Sequence, residues 1–355
     1  MTDTANAEKK EEVKKLFHFR FLFIVIMLVF AAATIGIAIT IGPANIHFFG
    51  VYQILIDQLF HGTFESTAIE QNIVLGIRGP RVLVGLCVGA ILATGGCIIQ
   101  SVLRNPLATP YTLGISSSAG FGAAVAIAFG FSLSGSTIGI IVSAFVFSLI
   151  PVTVIIMAAQ RTGVTPVTMV LCGVAVSQIF AACNTIIQYF SSADYAKEIV
   201  FWSVGSLNNC SMWMVPYVGI AALLFSVLAI YLSRDLNIMK MGDDTAQSLG
   251  INVRRTRIIS IVASCVCTAV AVSFTGAIGF ICLISPHLCR LIIGGDLKYL
   301  IPASALMGAV LLIIADTIGR TVISPVVLPV GAITALVGGP ILVYMLLRKR
   351  SAISV

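Results

Sequence analysis

Charge is scarce in this chain. Asp, Glu, Lys and Arg together make up 10% of its 355 residues, where a soluble domain carries about 25%. A chain so poor in charge cannot cover a water-facing surface, so its solvent is lipid. Apolar residues make up 58% of the sequence and the mean hydropathy is +1.06, which excludes a disordered chain. Period-two alternation is also missing, which disfavours a transmembrane β-barrel. The phosphate-binding pattern G-x-x-x-x-G-K-[ST] occurs nowhere, so ATP is not held by that route. There is no CxxC pair and no Cys/His metal spacing among the nine cysteines. Cys87, Cys97, Cys172, Cys183, Cys265, Cys267, Cys282 and Cys289 lie in or beside apolar runs and read as small buried apolar side chains.

Ionisable residues are nearly absent from the middle of the apolar runs. His18, His47, His61 and His287 form no relay pattern, and Asp316 is the main acidic exception. Ion-coupled transporters carry intramembrane carboxylates or histidines, so secondary transport in a single chain is disfavoured. An integral membrane enzyme would need a catalytic cluster, and the 14 acidic residues are scattered.

What is present is a series of ten apolar runs, near residues 21–41, 82–103, 113–131, 137–158, 169–189, 213–232, 258–274, 278–293, 300–318 and 330–347. A spanning helix needs about 20 apolar residues. Only helices and closed barrels satisfy every backbone group in lipid. The fold class expected is therefore an all-α polytopic membrane protein of about ten transmembrane helices, with both termini cytoplasmic. The eighth run is short and contains Pro286. The first run is too long for the core of a signal peptide and reads as an uncleaved span. With this count, 17 of the 21 Lys and Arg fall on one side, and Arg78, Arg81, Lys197 and Arg320 on the other. That asymmetry follows the positive-inside rule and accounts for the net charge of +7 without nucleic acid. The expected organisation is a cytoplasmic segment 1–20, one transmembrane domain 21–347 with a cytoplasmic loop 233–257, and a tail 348–355.

Four features point beyond topology. The loop from Ser233 to Arg257 is the longest internal cytoplasmic segment. Asp243 or Asp244 can cap a short helix there, Gly250 can end it, and Met241, Ala246 and Leu249 supply apolar contacts. Two turns of helix do not stand alone in water, so the segment is either a docking surface for a partner or a basic loop that only sets topology. The turn at Asn105-Pro106-Leu107 is either a gate or a simple connection. Gly85-x-x-x-Gly89, Gly95-Gly96 and Gly114 to Gly122 permit close helix packing or line a wide pathway. Asp316 and Arg320 are four apart and expected to pair locally. His287 has no flanking ligand partners and reads as structural.

Several strings resemble permease subunits of ABC importers for iron chelates and vitamin B12. They are Arg104-Asn105-Pro106-Leu107-Ala108 with Leu113 to Gly120, Ile77-Arg78-Gly79-Pro80-Arg81, Gly276 to Phe280 leading to Pro286-His287-Leu288-Cys289-Arg290, Ala315-Asp316 with Arg320, Leu328 to Gly331, and the Gly242 to Gly250 segment. The matches run from about 75 to 347. The resemblance implies a subunit that is not itself an enzyme and carries no cofactor, ATP and magnesium being bound by a partner. The implied partners are a second permease subunit, identical or not, two ATP-binding subunits, an extracytoplasmic substrate-binding protein and membrane lipid. It implies residence in the bacterial inner (cytoplasmic) membrane and inward passage of a ferric siderophore or related chelate by alternating access; relatives handle cobalamin, haem or molybdate. Roles carried over are docking of the binding protein for Arg78, Arg81 and Arg320, and a cytoplasmic gate for Asn105, Leu107 and Thr165. Coupling to the ATPase falls to Gly242, Asp243, Asp244, Ala246, Leu249 and Gly250.

Overall fold

The computed structural model describes residues 2–42, 46–60, 66–130, 137–162, 165–323 and 326–348. Of the expected features, Met1, His61, residues 163–164 of the loop after the fourth run, and 349–355 of the tail lie outside them. The described residues form helices joined by short connections, with no strand among them. In chain order these are α1 (Thr2–Thr40), α2 (Phe48–Phe60), α3 (Ala68–Gln71), α4 (Gly79–Val102), α5 (Ile115–Ala128), α6 (Thr137–Thr162) and α7 (Pro166–Phe190). Then follow α8 (Ala193–Val204), α9 (Met214–Met239), α10 (Asp243–Ser248), α11 (Val253–Thr275), α12 (Ile281–Ile293), α13 (Leu297–Thr321) and α14 (Val330–Arg348). A π-helical stretch, Asn72–Arg78, joins α3 to α4.

Seven apolar stretches in these helices are long enough to cross a bilayer: Lys14–Thr40, Ala68–Val102, Thr137–Arg161, Pro166–Phe190, Met214–Met239, Val253–Thr275 and Leu297–Thr321. Three shorter ones complete the series, Ile115–Ala128, Ile281–Ile293 and Val330–Tyr344. The ten expected runs are each found as a helix. At a 1.5 Å rise, α5 and α12 are about 20 Å long, short of the ~30 Å apolar core. Irregular backbone precedes both. A 3-10 turn, Pro110–Leu113, and Gly114 in a left-handed conformation lead into α5. Phe280, at φ 64°, leads into α12. Such backbone is tolerated at membrane depth only when buried in protein. Here the two breaks meet, the Tyr111 hydroxyl donating to the Ile278 carbonyl at 2.9 Å.

The centre of the bundle is α4, most of whose residues are buried against α13, α9, α11 and α12. Small residues make this possible. A Cβ on Gly89 would meet the Gly308 carbonyl of α13 at 2.5 Å, so the backbones touch. A second close approach joins three distant segments. Ser206 N donates to Thr275 O at 2.7 Å and Gly331 N to Gly205 O at 3.1 Å; a Cβ on Gly331 would strike the Val204 carbonyl. At the other extreme, only 11% of the apolar stretch of α7 is buried.

Two elements differ from the expected layout. α2 and α8 are helices outside the ten runs. The loop expected at 233–257 is mostly helical, because α9 continues to Met239 and α11 begins at Val253. Leu232, Ser233, Leu236 and Met239 are buried in succession, and this packed stripe carries α9 beyond its apolar run. Only residues 240–252 remain as connection, with α10 inside it.

Candidate functional site

One end of the bundle carries α10. Gly242, at φ 130°, precedes the helix, and Gly250, at φ 83°, follows it; both need a left-handed conformation that costs glycine little. Ala246 is fully buried and its carbonyl accepts from Ile251 N at 3.0 Å. The short helix is thus pinned by its middle. Its flanks point outward: Met241 is 73% exposed and Leu249 62%, with Asp244 exposed between them. Asp243 does not cap the helix as the sequence suggested, since Gly242 holds the capping position. Its carboxylate faces two arginines instead. Oδ1 accepts from Arg104 Nη2 at 2.5 Å, and both oxygens accept from Arg257 Nη2 at 2.9 Å.

Arg104 begins the turn that holds Asn105 and Leu107. Asn105 Oδ1 accepts from Leu107 N at 2.9 Å, Asn105 N donates to Gln100 O at 3.1 Å, and Ala108 N to Asn105 O at 3.1 Å. These bonds close 104–108 into a compact turn with Leu107 half exposed. Thr165 caps α7, accepting from Thr168 N at 3.2 Å, and α7 packs on the Pro110–Leu113 turn. The α9–α13 junction closes the same end. Asp296 accepts from Arg20 Nη1 at 3.3 Å and Asn237 Nδ2 at 2.8 Å. Lys240 Nζ donates to Gly295 O at 2.6 Å, and burial pushes the Lys240 ammonium below its usual pKa.

The opposite end holds the three arginines expected at a docking rim. They do lie together, but they turn inward. Arg81 grips Asp316 through Nε and Nη2 at 2.7–2.9 Å. Arg320 Nε lies 3.7 Å from the same carboxylate, and its Nη2 donates to the Ala38 carbonyl of α1. Arg78 Nη1 donates to Ile39 O at 3.0 Å and Thr40 O at 2.7 Å. All three are buried. In the chain by itself, carbonyls at the end of α1 and the Asp316 carboxylate take up their donors. The expected Asp316–Arg320 pair is present, yet the shorter contact comes from Arg81, 235 residues away in sequence. Sequence reasoning missed Arg257 and assigned Arg104 no partner; the basic run at the start of α11, where the helix dipole disfavours cations, was the available signal.

Ten apolar helices among the described residues define a multi-pass membrane protein, with the short helix α10 pinned by Ala246 and exposed on its flanks at one end. A model of the FecCD transport family matches residues 22–348, and the chain belongs to that family. The hemin transport system permease protein HmuU of Yersinia pestis is 37% identical over 282 residues, 79% of this chain and 84% of the relative. The iron(3+)-hydroxamate import system permease protein FhuB of Bacillus subtilis is 35% identical over 316 residues, 88% of this chain and 80% of the relative. A solved inward-facing metal-chelate type ABC transporter superposes with a TM-score of 0.80 at 27% identity, covering 92% of this chain and 98% of that one.

Proposed function

We propose that this chain is the permease subunit of a binding-protein-dependent importer that moves a ferric siderophore or related iron chelate inward, driven by ATP hydrolysis on a separate subunit. The observation that carries the coupling is α10, buried at Ala246 and exposed at Met241 and Leu249. Two large apolar side chains held in water beside a rigid turn suit a partner surface, and the sequence lacks a nucleotide loop of its own. The α10 end is cytoplasmic in this reading, with both termini on that side, as the excess of Lys and Arg there requires. The membrane is the bacterial inner membrane.

A second copy or close relative covers α7. Gln178 and Thr185 are exposed on this helix, and polar side chains avoid acyl chains when a protein surface is at hand. The pathway then runs between two α7 helices, with the Asn105–Leu107 turn and Thr165 at its cytoplasmic mouth. The binding protein docks on the opposite face, where the arginine cluster braces the helix ends beneath it. The kinship with hemin and iron-hydroxamate permeases supports an iron chelate as cargo.

The test is reconstitution. The chain is placed in proteoliposomes with its ATPase and binding protein, and uptake of radioactive iron bound to a hydroxamate siderophore, or of hemin, is followed. ATP-dependent uptake only when all parts are present is expected. Uptake driven by an ion gradient with the chain alone overturns the proposal.

A further inference from the structure

The contacts around Asp243 reach further than docking. They join the consecutive helices α10 and α11 to the 104–108 turn, which is distant from both in sequence. Arg104 has φ 48°, a left-handed conformation that strains the backbone of a non-glycine residue. Its guanidinium is held at both ends of the α9–α10 connection, Nη2 donating to Met239 O and to Asp243 Oδ1, each at 2.5 Å. From the other side Arg257, buried at the base of α11, donates to both oxygens of the same carboxylate. One anion thus bridges two cations at the junction. Both bodies it joins are stiff. Ala246 fixes α10, and the three bonds through Asn105 fix the turn.

We infer that Asp243 is the positioning residue that transmits displacement of α10 to the Asn105–Leu107 turn through Arg104, with Arg257 as its anchor on α11. This rests on the permease reading and specifies how its partner's motion reaches the pathway. When the ATPase shifts α10, Asp243 carries Arg104 with it, and the turn, closed on itself, moves as one piece. Without the carboxylate, α10 still docks through Met241 and Leu249, but its motion stops at Met239. The two guanidiniums left behind repel each other, and the strained backbone at Arg104 loses the contact that holds it.

The experiment uses the assembled complex of permease and ATPase in nanodiscs, so no substrate is required. Hydrogen–deuterium exchange of the 103–109 segment is measured with and without MgATP and vanadate, alongside ATP hydrolysis and co-purification of the ATPase. In the wild-type complex nucleotide is expected to change the exchange rate of this segment by about fivefold or more, the lower range of ordinary coupling. D243N is expected to lose the exchange response while the ATPase still co-purifies, with D243E recovering part of the response. R104M, which lies off the docking helix, is expected to do the same and keeps the test readable if D243N assembles poorly. An undiminished exchange response in R104M or D243N overturns the inference, and so does loss of ATPase binding in both, which makes the cluster a tie that only holds α10 in place. A wild-type complex that binds no ATPase overturns the permease reading itself.

Discussion

The two ends of this bundle use the same three groups in opposite ways. At each end one aspartate meets two arginines, Arg81 of α4 and Arg320 of its own helix at one, Arg104 of the 104–108 turn and Arg257 of α11 at the other. Asp316, with Arg81 and Arg320, has a side chain only 4% exposed. Asp243, with Arg104 and Arg257, has a side chain 35% exposed. Water decides what each cluster is worth. In the buried one, the charges have lost their hydration and are stable only as a set, so removing a member leaves an uncompensated ion. In the other, Asp243 and Arg104 keep part of their hydration, so their contact is worth less, although Arg257 is itself buried. The first behaves as a weld, the second as a linkage partly open to water.

That contrast can be broken in order of size. Asp316→Asn should cost about 3–5 kcal/mol of stability by stranding buried guanidiniums, read as a large fall in the thermal midpoint in detergent; a midpoint near wild type removes the weld. Gly331→Val, which drives a side chain into the Val204 carbonyl, should cost about 1–3 kcal/mol and shows how much of that end's rigidity is backbone packing rather than charge. Asp243→Asn should cost no more than about 1 kcal/mol, and a loss as large as that of Asp316→Asn makes the two ends alike. The smallest effect on stability belongs to the paired change Met241→Ser and Leu249→Ser, within about 0.5 kcal/mol, while ATPase co-purification is lost; retained co-purification places the partner elsewhere.

Much of this architecture is legible in the chain because lipid imposes a length on every apolar run. All ten runs become helices for that reason. The same rule hid the exceptions. α5 and α12 start late because irregular backbone before them is sheltered by protein, and neither the Tyr111–Ile278 bond nor the positive φ of Phe280 leaves a trace in hydropathy. α2 and α8 escaped notice because they are helices outside the ten runs. Among site residues, Asp316 stood out as an acid in an apolar run and its i+4 partner followed from helical spacing, but Arg81 is reached only through the α4–α13 contact. Asp243 was visible as a capping residue. Its true partners, one in a turn and one on α11, are brought to it by tertiary packing, and that is also what turned the three outer arginines inward.

The sparse burial of α7 has a consequence for how the protein comes into being. A freshly inserted copy presents Gln178 and Thr185 along a helix that its own neighbours scarcely cover. Until another surface arrives, Gln178 faces acyl chains that offer it no hydrogen bond, whereas the Thr185 hydroxyl donates to the Ala181 carbonyl at 3.0 Å. Under the proposed pairing of α7 with a second permease subunit, assembly of the working unit becomes a two-body event in the plane of the bilayer, and its yield should follow how crowded with permease subunits that membrane is.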